Sequence, residues 1–155
     1  MAVDQVHHSL DQLSRNECQQ LLRTVCVGRF GASVDALPVV LPVNYTLFEN
    51  DILVRTFPGT KLNVALANSV VAFEVDSFEP DGRAGWSVLV QGIAHEITNA
   101  AELLKARSVV LPTWAYETRP DRLLRISTQS MSGRWFGKRP LTVARSAQPA
   151  STLSG

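Results

Sequence analysis

The spacing of apolar residues changes at Val25. Before it, Cys18, Leu21, Leu22 and Val25 recur every three or four positions, the repeat of one helical face. Ser14 stands ahead of that run with Glu17 three residues on, the pattern of a capping box in which the serine accepts from the third helical N–H and the glutamate reaches back to the cap. A short amphipathic helix is therefore predicted from Ser14, its apolar stripe packed on something larger.

Beyond Val25 the apolar runs become short, rich in β-branched and aromatic residues, and divided by turn residues, as in consecutive strands. Residues 26–32 read as the first strand, where Gly28 and Gly31 suggest a bulge or a close backbone approach. Residues 38–47 form the second, and 48–51 turn it into a third over 52–55, a hairpin. Residues 69–76 are nearly continuous in apolar character and so central; 86–97 make a long fifth strand bent at Gly92. Asn99 caps a predicted helix over 100–109, closed before Pro112, and 123–128 supply the sixth strand. Short consecutive strands pair and closure removes exposed edges, so the expected fold class is mainly β, a six-stranded antiparallel barrel with a few flanking helices. Residues 1–11 are expected as a flexible N-terminus, 12–139 as the single domain, and 140–155, rich in Ala, Ser, Pro and Thr, as a disordered tail.

Composition narrows what such a barrel can bind. With 155 residues and 45% hydrophobic content, the chain suits one domain with a full core. A net charge of +1 and a charged fraction of 19% give no global field for nucleic acid or an anionic membrane, so recognition must be local. Cys18 and Cys26, the only cysteines, lack metal or disulfide spacing and are expected as buried thiols in a reducing compartment. No metal site is expected. His7-His8 is too short for a metal tract, and His95 reads as a packed or solvated side chain. The start of the chain lacks a signal pattern and no apolar stretch reaches membrane-span length, so the expectation is a cytoplasmic protein with neither membrane nor nucleic-acid partners.

The candidate chemistry lies in Ile52-Leu53-Val54-Arg55-Thr56-Phe57-Pro58-Gly59-Thr60-Lys61-Leu62. Here a strand empties into a loop holding a guanidinium, two hydroxyls and an ammonium, a set suited to a phosphate monoester. Gly59 allows close backbone approach, and Pro58 fixes a turn from which Thr60 and Lys61 open a helix N-terminus. Two solvated surface cations are the plainer account of the same residues. Neither Walker spacing nor G-x-G-x-x-G occurs, which excludes the common nucleotide cradles.

The order of motifs resembles the pyridoxamine 5′-phosphate oxidase-like family of flavin-binding split β-barrels. Those motifs are the capped helix, Val27-Gly28-Arg29-Phe30, Leu41-Pro42-Val43-Asn44-Tyr45, the Arg55-to-Lys61 loop, Phe73-Glu74-Val75-Asp76 and Gly85-Trp86-Ser87-Val88-Leu89-Val90-Gln91-Gly92. The resemblance implies a homodimer with FMN in clefts at the subunit interface. It assigns Arg55, Thr56, Thr60 and Lys61 to the FMN phosphate and ribityl chain, and Val43, Asn44 and Tyr45 to the ring. Ser87 stands where the oxidases proper carry glutamine near the flavin. Trp86 beside it packs against the cofactor or fills the dimer interface. Arg134 and Trp135 fall in the late segment that reaches the cofactor site or substrate pocket, where Arg134 meets an anionic group or is simply a surface arginine beside a core tryptophan. The full set of further basic and aromatic residues near the C-terminus that grip the vitamin phosphate in the oxidase proper is not found.

The chain resembles a shorter branch common in actinobacteria, some of whose members use a deazaflavin. The implied function is hydride transfer between FMN and a small organic substrate, with no protein acid or base assigned. One alternative is a reductase using the deazaflavin F-420, whose longer acidic tail would call on Arg29, Arg134 or Lys138. Another is a non-catalytic module that stores or senses flavin or haem.

Overall fold

A computed structural model describes residues 10–56, 68–109 and 122–139. Along the chain run β1 (Leu10–Leu13), α1 (Arg15–Leu22), β2 (Val27–Val34), β3 (Leu37–Phe48), β4 (Asp51–Thr56), β5 (Val70–Phe78), β6 (Gly85–Glu96), α2 (Ala100–Arg107), β7 (Arg122–Ile126) and β8 (Ser130–Phe136). The strands are antiparallel and follow the order β1-β8-β6-β5-β2-β3-β4-β7, with β6 also pairing β7. That extra pairing closes a six-stranded barrel of β2 to β7, and β8 with β1 forms a flap on one edge of β6.

β6 serves both parts because its two halves have different neighbours. Residues Gly85 to Gln91 pair β8, whereas Ala94 to Glu96 pair β7. Gly92 stands at the change of partner, where a Cβ would lie 2.9 Å from the Ser127 carbonyl oxygen. The expected bend is thus the point at which the barrel splits, and only glycine lets the two backbones approach.

Alternation along each strand sends one set of side chains inward. Phe30, Tyr45, Val54, Phe73, Val75, Val88, Val90 and Ile126 belong to this core. Gly28 makes room in it, because a Cβ there would overlap the Phe73 ring; this is the close approach expected in the first strand. α1 closes one end. Its capping box is formed, with Ser14 N–H donating to Glu17 Oε2 at 2.7 Å and Glu17 N–H donating to Ser14 Oγ at 3.3 Å, and it buries Cys18, Leu21 and Leu22. α2, capped by Asn99, covers a smaller outer cluster of Phe48, Leu53, Ile97, Ala106 and Leu123.

Two expectations are corrected. Leu10 and Asp11, placed in the flexible N-terminus, pair Phe136 and Trp135 in β1, and residues 130–136 form a strand that the sequence pattern does not announce. Ser130, Ser132 and Gly133 dilute its apolar signal, although Gly133 is required by packing: a Cβ would meet Cys18 Sγ at 2.5 Å. Cys26, expected buried, is exposed, since it precedes β2 and contributes its carbonyl to Tyr45 N–H rather than its side chain to the core.

Candidate functional site

The strand alternation decides which expected site residues share a face. On β3, Val43 and Tyr45 point into the barrel. Tyr45 is 1% exposed, meets the Phe73 ring edge-on at 5.0 Å, and its hydroxyl donates to the Leu22 carbonyl at 2.7 Å. Burial pushes the phenol well above its ordinary range, so Tyr45 is a neutral donor holding α1 on the barrel. Only the backbones of Val43 and Tyr45 remain for a ligand on the outer face. Asn44, between them, turns outward.

Arg55 lies on the same outer face. It pairs Leu123 of β7, and one step beyond the Tyr45–Val54 pair the register sets it across from Asn44. The two are neighbours on adjacent strands. Asn44 Oδ1 is buried and accepts no hydrogen bond among the described residues, a costly state for a carboxamide oxygen. Thr56 continues β4 and pairs Arg122; Thr60 and Lys61 lie outside the described residues.

On β6, Trp86 is 6% exposed and belongs to the barrel core. Ser87 turns outward, across from Asp76 of β5 and Arg134 of β8. Trp135 also turns inward, with the Arg139 guanidinium 5.8 Å from its ring centroid. Val27 is opposite Asn44, and the β2–β5 register, extended two residues past its last pair Arg29–Glu74, sets Asp76 across from Val27. Arg55, Asn44, Val27, Asp76, Ser87 and Arg134 therefore form one row across the outer face. Its two expected halves, Arg55 with Asn44 and Ser87 with Arg134, stand three strand spacings apart on β3 and β6, about 14 Å.

An ion cluster occupies the ground between them. Arg29 donates to Glu74 at 2.9 Å and lies 3.1 Å from Asp76. Loss of hydration raises the Glu74 carboxyl, the Asp76 charge raises it further, and Arg29 only partly opposes them. Two carboxylates against one guanidinium make the middle of the row acidic between cationic ends. Glu74 and Asp76 received no role from sequence, although their two-residue spacing on a strand places both on one face. His95 sits apart, exposed, its Nδ1 3.3 Å from Asn68 Oδ1.

Residues 14–135 match the family described as pyridoxamine 5′-phosphate oxidase. The chain belongs to the pyridoxamine 5′-phosphate oxidase family. It is 34% identical over 106 residues to the uncharacterized protein Rv0080 of Mycobacterium tuberculosis, spanning 65% of this chain and 70% of that protein. Among solved structures it resembles an FAD-binding protein from Mycobacterium smegmatis at 33% identity and a TM-score of 0.71, covering 81% of this chain and 99% of that one. An FAD-binding protein from Mesorhizobium loti aligns at 26% identity and a TM-score of 0.68, covering 84% and 99%. The match to the pyridoxamine 5′-phosphate oxidase family runs from the α1 cap to Trp135, so it includes the closed barrel and nearly all of β8. Among the described residues no group of three or more His, Cys, Asp or Glu side chains could hold a metal ion, and no helix is long and apolar enough to cross a membrane.

Proposed function

We propose that the protein is a flavin-dependent oxidoreductase of this family, active as a homodimer on a small organic substrate. The observation that carries the reading is Asn44, whose buried, unpartnered carboxamide oxygen lies beside Arg55 on the outer face. An acceptor there suits the N3–H edge of a flavin ring, and Arg55 with Lys61 suits its phosphate. The similar FAD-binding proteins support a flavin and extend the choice from FMN to FAD.

When bound, the flavin supplies hydride chemistry at its N5 position. The chain's own residues bind and orient it: Arg55, Thr56, Thr60 and Lys61 at the phosphate and ribityl chain, Asn44 with the Val43 and Tyr45 backbones at the ring. Ser87 and Arg134 belong to the other half of the row, too distant to share one compact ring pocket with Asn44 in a single copy. A second copy related by a two-fold axis would bring its Ser87 and Arg134 onto the first copy's Arg55 and Asn44. Exposed apolar side chains on the same face, Val40 at 66% and Val70 at 74%, support such burial.

Titration of purified protein with FMN, FAD and a deazaflavin, followed by absorbance and fluorescence, tests the reading. Arg55→Ala combined with Lys61→Ala removes two charge-assisted contacts and is expected to weaken flavin binding by about a hundredfold or more. Asn44→Leu is expected to cost about tenfold, and methylation of flavin N3 to cost the same against the native chain but nothing further against Asn44→Leu. Unchanged affinity in these variants would place the cofactor elsewhere. Binding of the deazaflavin alone would reassign the protein to the deazaflavin reductases.

A further inference from the structure

A second polar feature lies on α1, away from the row. Arg15, Asn16, Gln19, Gln20, Arg23 and Asn50 line an open groove of about 450 Å³. Arg15, Gln19 and Arg23 recur every fourth residue and so share one helical stripe, with Asn16 and Gln20 beside them. Both guanidiniums are anchored by neutral acceptors. Arg15 donates to Thr128 Oγ1 at 3.2 Å and to the Gln129 carbonyl at 3.4 Å, and Arg23 donates to Asn50 Oδ1 at 3.0 Å. Gln19 Nε2 donates to the Asn50 carbonyl at 3.1 Å.

The acids nearby are committed elsewhere. Glu49 and Asp51, on either side of Asn50, bond Arg125 at 3.1 and 2.8 Å and share it with Glu102 at 2.8 Å, and Asp51 also accepts from the Thr128 N–H at 3.0 Å. Glu17, on the buried side of α1, bonds Arg139. The groove is therefore lined by two cations that make no direct ion pair among the described residues, and by four carboxamides with N–H groups to offer. Held in place by neutral partners, these cations keep donors for an incoming anion without giving up an existing ion pair.

We propose that this groove is a second binding site, for an elongated polyanion of the oligophosphate type. Elongation follows from the spacing: eight residues of helix separate Arg15 from Arg23, about 12 Å along the axis. A compact anion meets one guanidinium, whereas a chain of phosphates meets both and the carboxamides between. The groove is distinct from the ledge at Arg55, since Asn50 precedes β4 and Arg55 lies near its far end, about 17 Å along an extended strand.

The full chain is titrated with tripolyphosphate and, separately, with orthophosphate, by calorimetry and by amide chemical shifts. Tripolyphosphate is expected to saturate one site at least about tenfold more tightly than orthophosphate, with the shifts centred on α1. Gln20 is exposed and makes no side-chain bond among the described residues, so Gln20→Glu adds a carboxylate to the groove without removing a contact. That variant is expected to bind tripolyphosphate about tenfold more weakly, Gln20→Lys more tightly, both with unaltered unfolding midpoints. Equal affinity for the two phosphates, undiminished binding by Gln20→Glu, or shifts centred on the end of β4 would each overturn the proposal.

Discussion

Glu17 links the α1 cap to the end of the described chain. Its side chain is 8% exposed and receives the Arg139 guanidinium at 2.6 Å together with the Ser14 N–H and hydroxyl at 2.7 and 2.8 Å. Burial alone would raise the carboxyl, but the Ser14 hydrogen bonds and the Arg139 charge outweigh it and hold the group below its ordinary value. A carboxyl lowered by folding contributes stability at pH above its unfolded value and loses it as pH falls through the folded one. Glu17→Gln keeps an acceptor for the cap and removes the charge. It is expected to cost about 1–3 kcal/mol near neutral pH, with the gap closing as the pH falls below the carboxylate range. Denaturant unfolding across that range checks this; a gap that persists in acid would assign the effect to packing. The Ser14–Glu17 box was legible because it is local, whereas Arg139 lies 122 residues from Glu17 and nothing in the sequence pattern joins them.

At the scale of elements, the two tight hairpins, β2–β3 and β3–β4, show where sequence signals were strong and weak. Both turns use left-handed backbone at consecutive residues, Asp35 and Ala36 in one (φ 51° and 65°), Glu49 and Asn50 in the other (φ 50° and 70°), as two-residue turns between twisted strands require. Asn50 and Asp51 announced the second. Asp35-Ala36 carries no glycine and its alanine is a poor fit to positive φ, so the turn is legible only after the strands are paired. Ala36→Gly is expected to raise stability by about 0.5–1 kcal/mol, read as a higher unfolding midpoint; a fall would show that the tip is held by contacts of the methyl group. The same contrast explains the rest. Barrel strands rich in Val, Ile and Phe were legible from periodicity, while β1 and β8 give the core only Leu13 and Trp135, with Met131 partly buried beside it, too few for a period, and are strands because they pair each other and β6. For the candidate site, periodicity located Asn44 and Arg55 on strands but could not say that they face the same way, because facing depends on register between β3 and β4.

At the scale of the whole molecule, the outer face of β3, β2, β5 and β6 combines exposed apolar side chains with a compact ion cluster. Val40, Val70 and Ile93 are 66%, 74% and 43% exposed, and Val70 pairs Ile93 across the β5–β6 register. Beside this apolar ground, the Arg29, Glu74 and Asp76 cluster is partly neutralised, and the two halves of the candidate row lie on either side. If the proposed homodimer forms through this face, burying it and completing the cofactor site are one event. A charge placed on the apolar ground then opposes both, because it would have to be desolvated without a partner. Val40→Glu and, separately, Ile93→Glu are expected to give folded monomers by light scattering, with flavin affinity reduced about a hundredfold. Neither side chain belongs to the row, so a direct loss of cofactor contacts would not produce that result. A monomeric variant with full flavin affinity would show that one copy holds the whole site, and a dimeric variant would move the interface to another face.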